Sequence, residues 1–182
     1  MALFEFAKYN RLAQSLKKGD TRAAEKLYEE LFNKVFGFCM NKTSNRHIAE
    51  DLSQEIFLKL IDRIESFDAK RGNFLTWFWQ LARNTTIDHY RKQKETHFSD
   101  IEEIQLEESS KYSGQEKMDS QVELKRIQIF LKSISQEEQD LFELHFVADL
   151  KYKEISKILN KPEVNLRVAI GRLKKKIQEH LK

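Results

Sequence analysis

The chain has 182 residues, of which 40% are hydrophobic and 34% charged, with five glycines and a single proline. So little glycine and proline argues against a turn-rich sandwich or barrel and favours helices. The net charge of +3 hides a division along the chain, because residues 1–95 carry a net charge of +4, residues 96–121 one of −5 and residues 122–182 one of +4.

Residues 1–95 contain three long stretches in which apolar side chains recur every three or four residues, the period of an amphipathic helix. The predicted helices cover residues 21–40, 47–66 and 74–94. Asp20 or Thr21 is a suitable N-cap for the first helix, and a loop over 67–73 contains glycine and asparagine, which favour turns. Three long helices without internal proline predict a small helical bundle.

The helical period fades over residues 96–121, and their acidic and polar composition predicts a flexible linker. Shorter helices are predicted at 122–132, 135–147, 152–159 and 164–181. Ser135 and Glu138 form a capping box at the start of the second of these. The turn at 160–163, between a short helix and a longer basic one, is typical of a helix-turn-helix. The predicted fold is therefore all-α, with an N-terminal helical bundle and a C-terminal helix-turn-helix domain joined by a flexible acidic linker, divided at the boundaries of the three charge segments.

Motifs for catalysis or metal binding are missing from the sequence. Its five histidines form no HxxxH or HExxH pair, and there is no glycine-rich phosphate loop, GxSxG elbow or CxxC motif. We therefore predict no enzymatic activity, no metal and no cofactor. The single cysteine, Cys39, lies in an apolar helical stretch and is expected to be an inert core thiol.

Signals for membrane insertion and export are also missing. No segment approaches the roughly 18 consecutive apolar residues of a membrane span, and the first residues lack the basic and apolar regions of a secretory signal. We therefore expect a cytoplasmic protein.

The C-terminal helix combines an apolar stripe with basic sides. Its inward stripe is expected to consist of Leu166, Ala169 or Ile170, Leu173 and Ile177, while six basic residues and one acidic residue lie over Asn165 to Lys182. A basic helix after such a turn fits the major groove, where arginine contacts base edges and lysine neutralises phosphates. The alternative is an amphipathic helix with a solvated charged face, but the preceding turn and helix favour DNA. The predicted duplex contacts are Asn165, Arg167, Val168, Arg172, Lys174 and Lys175.

The helix predicted over 47–66 has a polar outer strip. When the apolar stripe of this helix faces the core, its outward face carries Asp51, Gln54, Glu55 and Leu58, which follow one another at helical spacing. Two carboxylates, an amide and one apolar side chain suit a basic protein partner. The alternative is an ordinary solvated face, which spacing alone does not exclude.

Three consecutive aromatic residues, Trp77, Phe78 and Trp79, lie near the start of the helix predicted over 74–94. Neighbours on a helix are about 100° apart, so the three rings cannot all face one core. Aromatic rings beside arginine and lysine are how proteins stack on unpaired bases and hold the backbone. The competing interpretation is that one tryptophan packs against the loop after Phe67, and we expect this for Trp77.

Together these segments resemble the sigma-70 family of bacterial RNA polymerase initiation factors, in its compact extracytoplasmic-function group. Residues 47–58 are similar to the family motif that binds core polymerase, and residues 74–91 to the helix that engages the minus-ten promoter element. Residues 152–159 and the helix after Pro162 resemble the reader of the minus-thirty-five element. The motifs follow in family order over nearly all of residues 10–182.

The resemblance implies a transcription initiation factor that binds core RNA polymerase and promoter DNA and aids strand opening. Asp51 and Gln54 would face the clamp helices of the largest polymerase subunit, the second-largest subunit would also be a partner, and an anti-sigma factor would inhibit the protein. The loop over 67–73 would hold a flipped base of the melted strand. The predicted single-strand contacts are Asp68, Lys70, Arg71, Asn73, Trp79, Arg83, Asn84, Asp88, Arg91 and Lys92.

The helix after Pro162 departs from the family pattern at its start. The family often has Gly-Thr where this chain has Val164 and Asn165, and serine and arginine where it has Val168 and Ala169. Asn165 is still expected to supply an N-cap oxygen. These departures predict an unusual promoter sequence, or one read more through shape and phosphate contacts.

Two other classes of function compete with the initiation factor. One is a stand-alone helix-turn-helix repressor or activator that does not bind polymerase, and the other is a protein-interaction adaptor whose basic helix is solvated. The minus-ten segment and the strip of Asp51 and Gln54 discriminate, because a repressor needs neither.

Overall fold

A computed structural model describes residues 2–97, 126–127 and 129–180, without the side chains of 2–5 and 93–97. Within these ranges every regular element is helical, which confirms the all-α prediction. The helices are α1 (Ala2–Lys17), α2 (Thr21–Thr43), α3 (Arg46–Arg63), α4 (Phe74–His97), α5 (Gln136–Phe142), α6 (Tyr152–Leu159) and α7 (Glu163–His180). Residues 98–121 of the predicted linker, and residues 122–125 and 128 of the helix predicted over 122–132, lie outside the described residues, whereas 126–127 and 129–133 are helical.

Capping side chains fix several helix ends where the sequence predicts them. The Asp20 side chain accepts a hydrogen bond from the Arg22 N–H at 3.1 Å and begins α2. Ser135 and Glu138 form the predicted capping box at the start of α5. The helix predicted over 135–147 differs in one respect, because α5 ends at Phe142 and continues as a π-helical turn, Glu143–Val147.

The structure differs from the prediction at two helices, α1 and α7. The first helix, α1, is not predicted by the sequence analysis, although the buried Tyr9 and Ala13 and the partly buried Phe6 and Leu16 follow a helical period. The N-cap role expected for Asn165 is wrong, because α7 begins two residues earlier, at Glu163. Asn165 therefore lies inside the first turn, where its side chain is exposed.

Helices α1 to α4 pack around one apolar core. Each helix contributes one face, and the fully buried side chains include Leu27, Leu31, Leu52, Ile56, Leu60, Phe74, Phe78 and Trp79. Burial of one such side chain contributes about 1.5–3 kcal/mol. The opposite faces of α3 and α4 are left at the surface. Cys39 belongs to this core, and burial raises the pKa of its thiol to about 11, as an inert thiol requires.

Helices α5 to α7 bury Leu141, Leu144, Ile155, Leu166, Ile170 and Leu173 between them, and these side chains are continuous with the core of α1 to α4. Asn160 ends α6 in the left-handed region at φ +52°, a conformation that asparagine tolerates. The Ser156 hydroxyl donates to the carbonyl of Lys161 at 2.6 Å and holds the turn before α7. The pair α6–turn–α7 is the predicted helix-turn-helix.

The two helical groups share one continuous apolar core, and they also meet at four charged side chains, which we call the interdomain charge cluster: Lys42, Arg83, Asp140 and Glu143. Lys42 Nζ lies 2.8 Å from Asp140 Oδ1, and Arg83 Nη2 lies 2.9 Å from Asp140 Oδ2. The Lys42 and Asp140 side chains are only 8% and 12% exposed. The carboxylate of Asp140 therefore joins α2 and α4 to α5 through two largely desolvated ion pairs.

The two carboxyl groups of the cluster differ in their protonation. Burial alone would raise the pKa of Asp140, but the charges and hydrogen bonds of Lys42 and Arg83 outweigh it and lower that pKa. Glu143 is 1% exposed, and burial raises its pKa to about 8 despite the nearby Lys42. Asp140 is therefore ionised at neutral pH, whereas Glu143 holds its proton.

Substituting Asp140→Ala should lower the free energy of unfolding by about 3–5 kcal/mol, because it leaves two cations partly buried without a counter-charge. The matched control is Glu137→Ala, which removes a more exposed carboxylate paired with Lys161 and should cost under about 1 kcal/mol. Urea unfolding measures both variants. Equal losses in the two would show that the interdomain pairs contribute no more than a surface pair.

The buried, protonated carboxyl group of Glu143 should make the free energy of unfolding fall as pH rises. Its usual pKa is 4.5 and its pKa in the folded state is about 8, so between these values the folded state binds a proton that the unfolded state does not. The free energy of unfolding should then fall by about 1.4 kcal/mol per pH unit in that window from this group. In Glu143→Gln this decline should disappear, which urea unfolding at a series of pH values will test. An unchanged slope would contradict the assignment.

Candidate protein and nucleic-acid interfaces

The outer strip of α3 is exposed as predicted. Asp51, Gln54 and Leu58 lie at the surface, and Leu58 is 63% exposed. Glu55 is partly buried and pairs with Lys59, their charged atoms 2.8 Å apart. Ile61, 52% exposed, extends the strip by one turn and adds a second apolar contact.

A cavity of about 290 Å³ opens beside the loop over 67–73. It brings together three predicted single-strand contacts, Asp68, Arg71 and Asn73, with other polar and aromatic side chains. The remaining lining residues include Ser66, Thr76, Trp77, Gln80 and Lys157. The cavity thus combines an aromatic ring, cations and amides, which are the groups that hold an extruded base.

Helix α1 positions this loop at both ends. Lys17 Nζ donates to the carbonyls of Glu65 and Phe67, each at 2.9 Å, just before the loop. The Asn10 side chain accepts from the Phe74 N–H at 2.7 Å, just after it. Within the loop the Asp68 side chain accepts from the Lys70 N–H at 2.9 Å. The loop conformation is therefore fixed by a helix that the sequence analysis did not predict.

The two tryptophans of α4 differ in exposure, and one prediction is wrong. Trp79 is 1% exposed and packs against Phe38 and Phe78, with ring centroids 5.6 and 5.7 Å away. Because the Trp79 ring lies in the core, it has no free face on which a base can stack. The predicted contact of Trp79 with DNA is therefore wrong. Trp77 is partly buried and its ring centroid lies 5.7 Å from that of Phe67, as expected, while the residue also lines the cavity.

The outward face of α4 carries the other predicted single-strand contacts. Asn84, Arg91 and Lys92 are exposed, and Asp88 lies 3.4 Å from Arg91. Arg83 is instead bound to Asp140 within the interdomain charge cluster. Lys70, on the loop, is also exposed.

A second cavity, of about 230 Å³, adjoins the first along α4. Its lining residues include Lys59, Arg63, Trp77, Gln80, Asn84 and Asp88. Trp77 and Gln80 line both cavities. Gln80 and Lys157 were not predicted as site residues. The three- and four-residue spacing of Trp77, Gln80 and Asn84 would have indicated the first, but Lys157 reaches the cavity only through the tertiary fold.

All six predicted duplex contacts on α7 are exposed, and the buried Leu166, Ile170 and Leu173 occupy the opposite side. The Arg167 guanidinium carbon lies 5.2 Å from the centre of the Tyr152 ring. Lys174 Nζ lies 6.0 Å from the Phe146 ring centre. These cation–π contacts place basic groups along the sides of the helix.

Within the described residues, no group of histidine, cysteine and acidic side chains could hold a metal ion. The described helices include none that is long and apolar enough to cross a membrane.

Comparison with known proteins gives matches in both helical groups. Residues 27–96 match the model of Sigma-70 region 2, and residues 125–177 match that of Sigma-70, region 4. The chain is 30% identical over 177 residues to the ECF RNA polymerase sigma factor SigW of Bacillus subtilis, with 93% of this chain and 94% of SigW covered. It is also 30% identical to SigM of the same organism, covering 85% of this chain and 92% of SigM.

Solved structures share the fold at lower sequence identity. CnrH, in complex with the cytosolic domain of CnrY, matches with a TM-score of 0.71 at 17% identity over 95% of this chain and 96% of that one. RpoE from Bartonella quintana, in complex with the anti-sigma factor NepR, has a TM-score of 0.62 at 19% identity, with coverage of 86% and 97%. From the two region matches and the near full-length likeness to SigW, the chain belongs to the extracytoplasmic-function group of the sigma-70 family, a transcription initiation factor that directs RNA polymerase.

Proposed function

We propose that the chain divides this activity among three surfaces. The outer strip of α3 binds core polymerase, the loop cavity with α4 binds the melted minus-ten strand, and α7 reads the minus-thirty-five duplex. The supporting observation is that these three sets of side chains face outward on separate elements while their apolar partners are buried. We place the first two functions in a domain over 1–95 and the third in one over 122–182, with 96–121 as the linker.

The loop cavity supports the single-strand assignment. Its volume of about 290 Å³ is at the lower end of the range for small-molecule sites, which is about 300–1,000 Å³, and so suits one base. Trp77 supplies an aromatic ring, the exposed Gln80 supplies an amide for a base edge, and Arg71 and Lys70 attract the phosphates. The Asn73 side chain forms part of the cavity wall, where it accepts from the Thr76 N–H at 2.8 Å and caps α4. Trp77 takes the role that the sequence analysis gave to Trp79.

The protein performs no covalent chemistry in this proposal. Its binding free energy is used to hold unpaired bases and to position the polymerase, in the cytoplasm. We propose an anti-sigma factor as a further partner. RpoE is found in complex with the anti-sigma factor NepR, and CnrH is found in complex with the cytosolic domain of CnrY.

Run-off transcription tests the proposal as a whole. Core polymerase with this protein, on fragmented genomic DNA, should give discrete transcripts that core polymerase alone does not give. A stand-alone helix-turn-helix regulator would bind DNA without producing them, and an adaptor would do neither.

Replacing Asp51 and Gln54 together by alanine should abolish assembly with core polymerase while helix content stays unchanged, because both side chains lie outside the core. Loss of charge-assisted contacts at a protein interface costs about 2–5 kcal/mol. A pull-down with core polymerase measures binding, and circular dichroism measures helix content. The matched control, Gln14→Ala with Glu25→Ala, removes the same types of side chain from exposed positions of α1 and α2 and should bind normally. Undiminished binding by the first variant would rule out the α3 strip.

Arg172→Ala should weaken binding to the duplex upstream element by about 1–3 kcal/mol. If the guanidinium contacts a base, specificity should relax at one position; if it contacts phosphate, the salt slope should fall by about one unit. The variant should initiate normally on a pre-melted promoter that lacks the upstream duplex. Lys132→Ala, an exposed cation outside α7, is the control. Failure of Arg172→Ala on the pre-melted template would contradict the division of functions.

A further inference from the structure

The face of α7 directly opposite its buried stripe is apolar in its first two turns. At about 100° per residue, Val164, Val168, Gly171 and Lys175 share this face. Val164 is 71% exposed and Val168 is 50% exposed. Neither valine serves the core, which α7 contacts through Leu166, Ile170 and Leu173.

Gly171 continues the same face and is unexplained by internal packing. A Cβ built on it would have no atom within 4 Å. Glycine in a helix interior costs about 1 kcal/mol relative to alanine, so the fold would be more stable with a side chain there. A glycine on an exposed face lets the helix backbone approach a bound molecule closely.

Basic side chains border this face on both sides. Arg167 lies on one side, with its guanidinium against the Tyr152 ring, and the exposed Arg172 lies on the other. Cations flanking an apolar strip match the major groove, where phosphates line both edges and base edges form the floor. This arrangement is the reason we assign the strip to DNA rather than to an apolar protein surface.

We propose that α7 reads thymine through the strip formed by Val164, Val168 and Gly171. The 5-methyl group of thymine is the apolar group that base pairs present in the major groove, and apolar side chains recognise it by contact. Cβ atoms one helical turn apart are separated by about 5–6 Å, which matches methyl groups one or two base pairs apart at about 3.4 Å per pair. The inference rests on the proposed duplex-reading role of α7 and specifies the bases that it prefers.

Deoxyuridine lacks only the thymine methyl group, so it tests the contact directly. The experiment uses full-length protein with core polymerase on a promoter obtained from the run-off transcripts, with each upstream thymine replaced singly by deoxyuridine. At one or two positions the replacement should weaken binding about fourfold, as expected for one buried methyl group. In Val164→Ala or Val168→Ala, the effect of the corresponding replacement should disappear.

Two further variants separate DNA reading from folding. Ile129→Ala removes an apolar side chain of similar exposure, 62%, from outside α7 and should leave the deoxyuridine effect unchanged. Gly171→Ala should raise the melting temperature by about 2–4 °C through helix propensity and yet weaken promoter binding. A purely structural glycine would lose stability and binding together, which would overturn its place in the strip.

The outcomes distinguish this inference from the function on which it rests. If no DNA yields a specific transcript, the proposed function fails. If transcripts form but no deoxyuridine replacement weakens binding of the parent protein, thymine reading is wrong. If the valine variants lose core polymerase instead of DNA, the strip is a protein contact and the inference is likewise wrong.

Discussion

The carboxylate of Asp140 joins the two helical groups by ion pairs, beside an apolar core that both groups share. It binds Lys42 of α2 and Arg83 of α4 at 2.8 and 2.9 Å, and the protonated Glu143 lies beside it. Buried ion pairs add little net stability compared with apolar packing, because desolvation offsets much of their attraction. Their specificity is high, however, since only one arrangement pairs both cations. The interface therefore fixes orientation more than it adds stability, as is typical of polar interfaces between domains of one chain.

Periodicity is sufficient to predict α2 to α4 and α5 to α7, because each buries one stripe, and capping residues also mark the starts of α2 and α5. Helix α1 was missed, although Tyr9 and Ala13 have helical spacing, because no capping signal marks its start. The π-helical turn at Glu143 could not be predicted, since a strong capping box says nothing about how the helix ends. The interdomain charge cluster was also beyond reach, because Lys42 and Asp140 are 98 residues apart and both look like ordinary surface charges in the sequence.

The candidate sites were predicted well where a helix has one clear buried stripe. On α3 and α7 the outward residues followed directly from the inward ones. On α4 the three consecutive aromatic residues leave open which ring faces the core and which faces outward. In the structure, Leu75 and Trp79, four residues apart, both lie in the core. Gln80 and Lys157 show the remaining limit: a cavity formed by a loop, a helix face and a second domain has no signature in local sequence.

The ion pairs of Asp140 with α2 and α4 have a consequence for the distance that the protein spans in the proposed function. Minus-ten and minus-thirty-five elements are separated by about 25 base pairs, or about 85 Å of straight duplex. A compact body of about 150 residues has a radius of gyration of about 15 Å and a width of about 40 Å. In the function proposed above, the compact form therefore does not reach both elements at once. Simultaneous contact under that proposal requires the Asp140 pairs to break, so any net free energy that they contribute is subtracted from the affinity for a complete promoter but not from the affinity for either element alone.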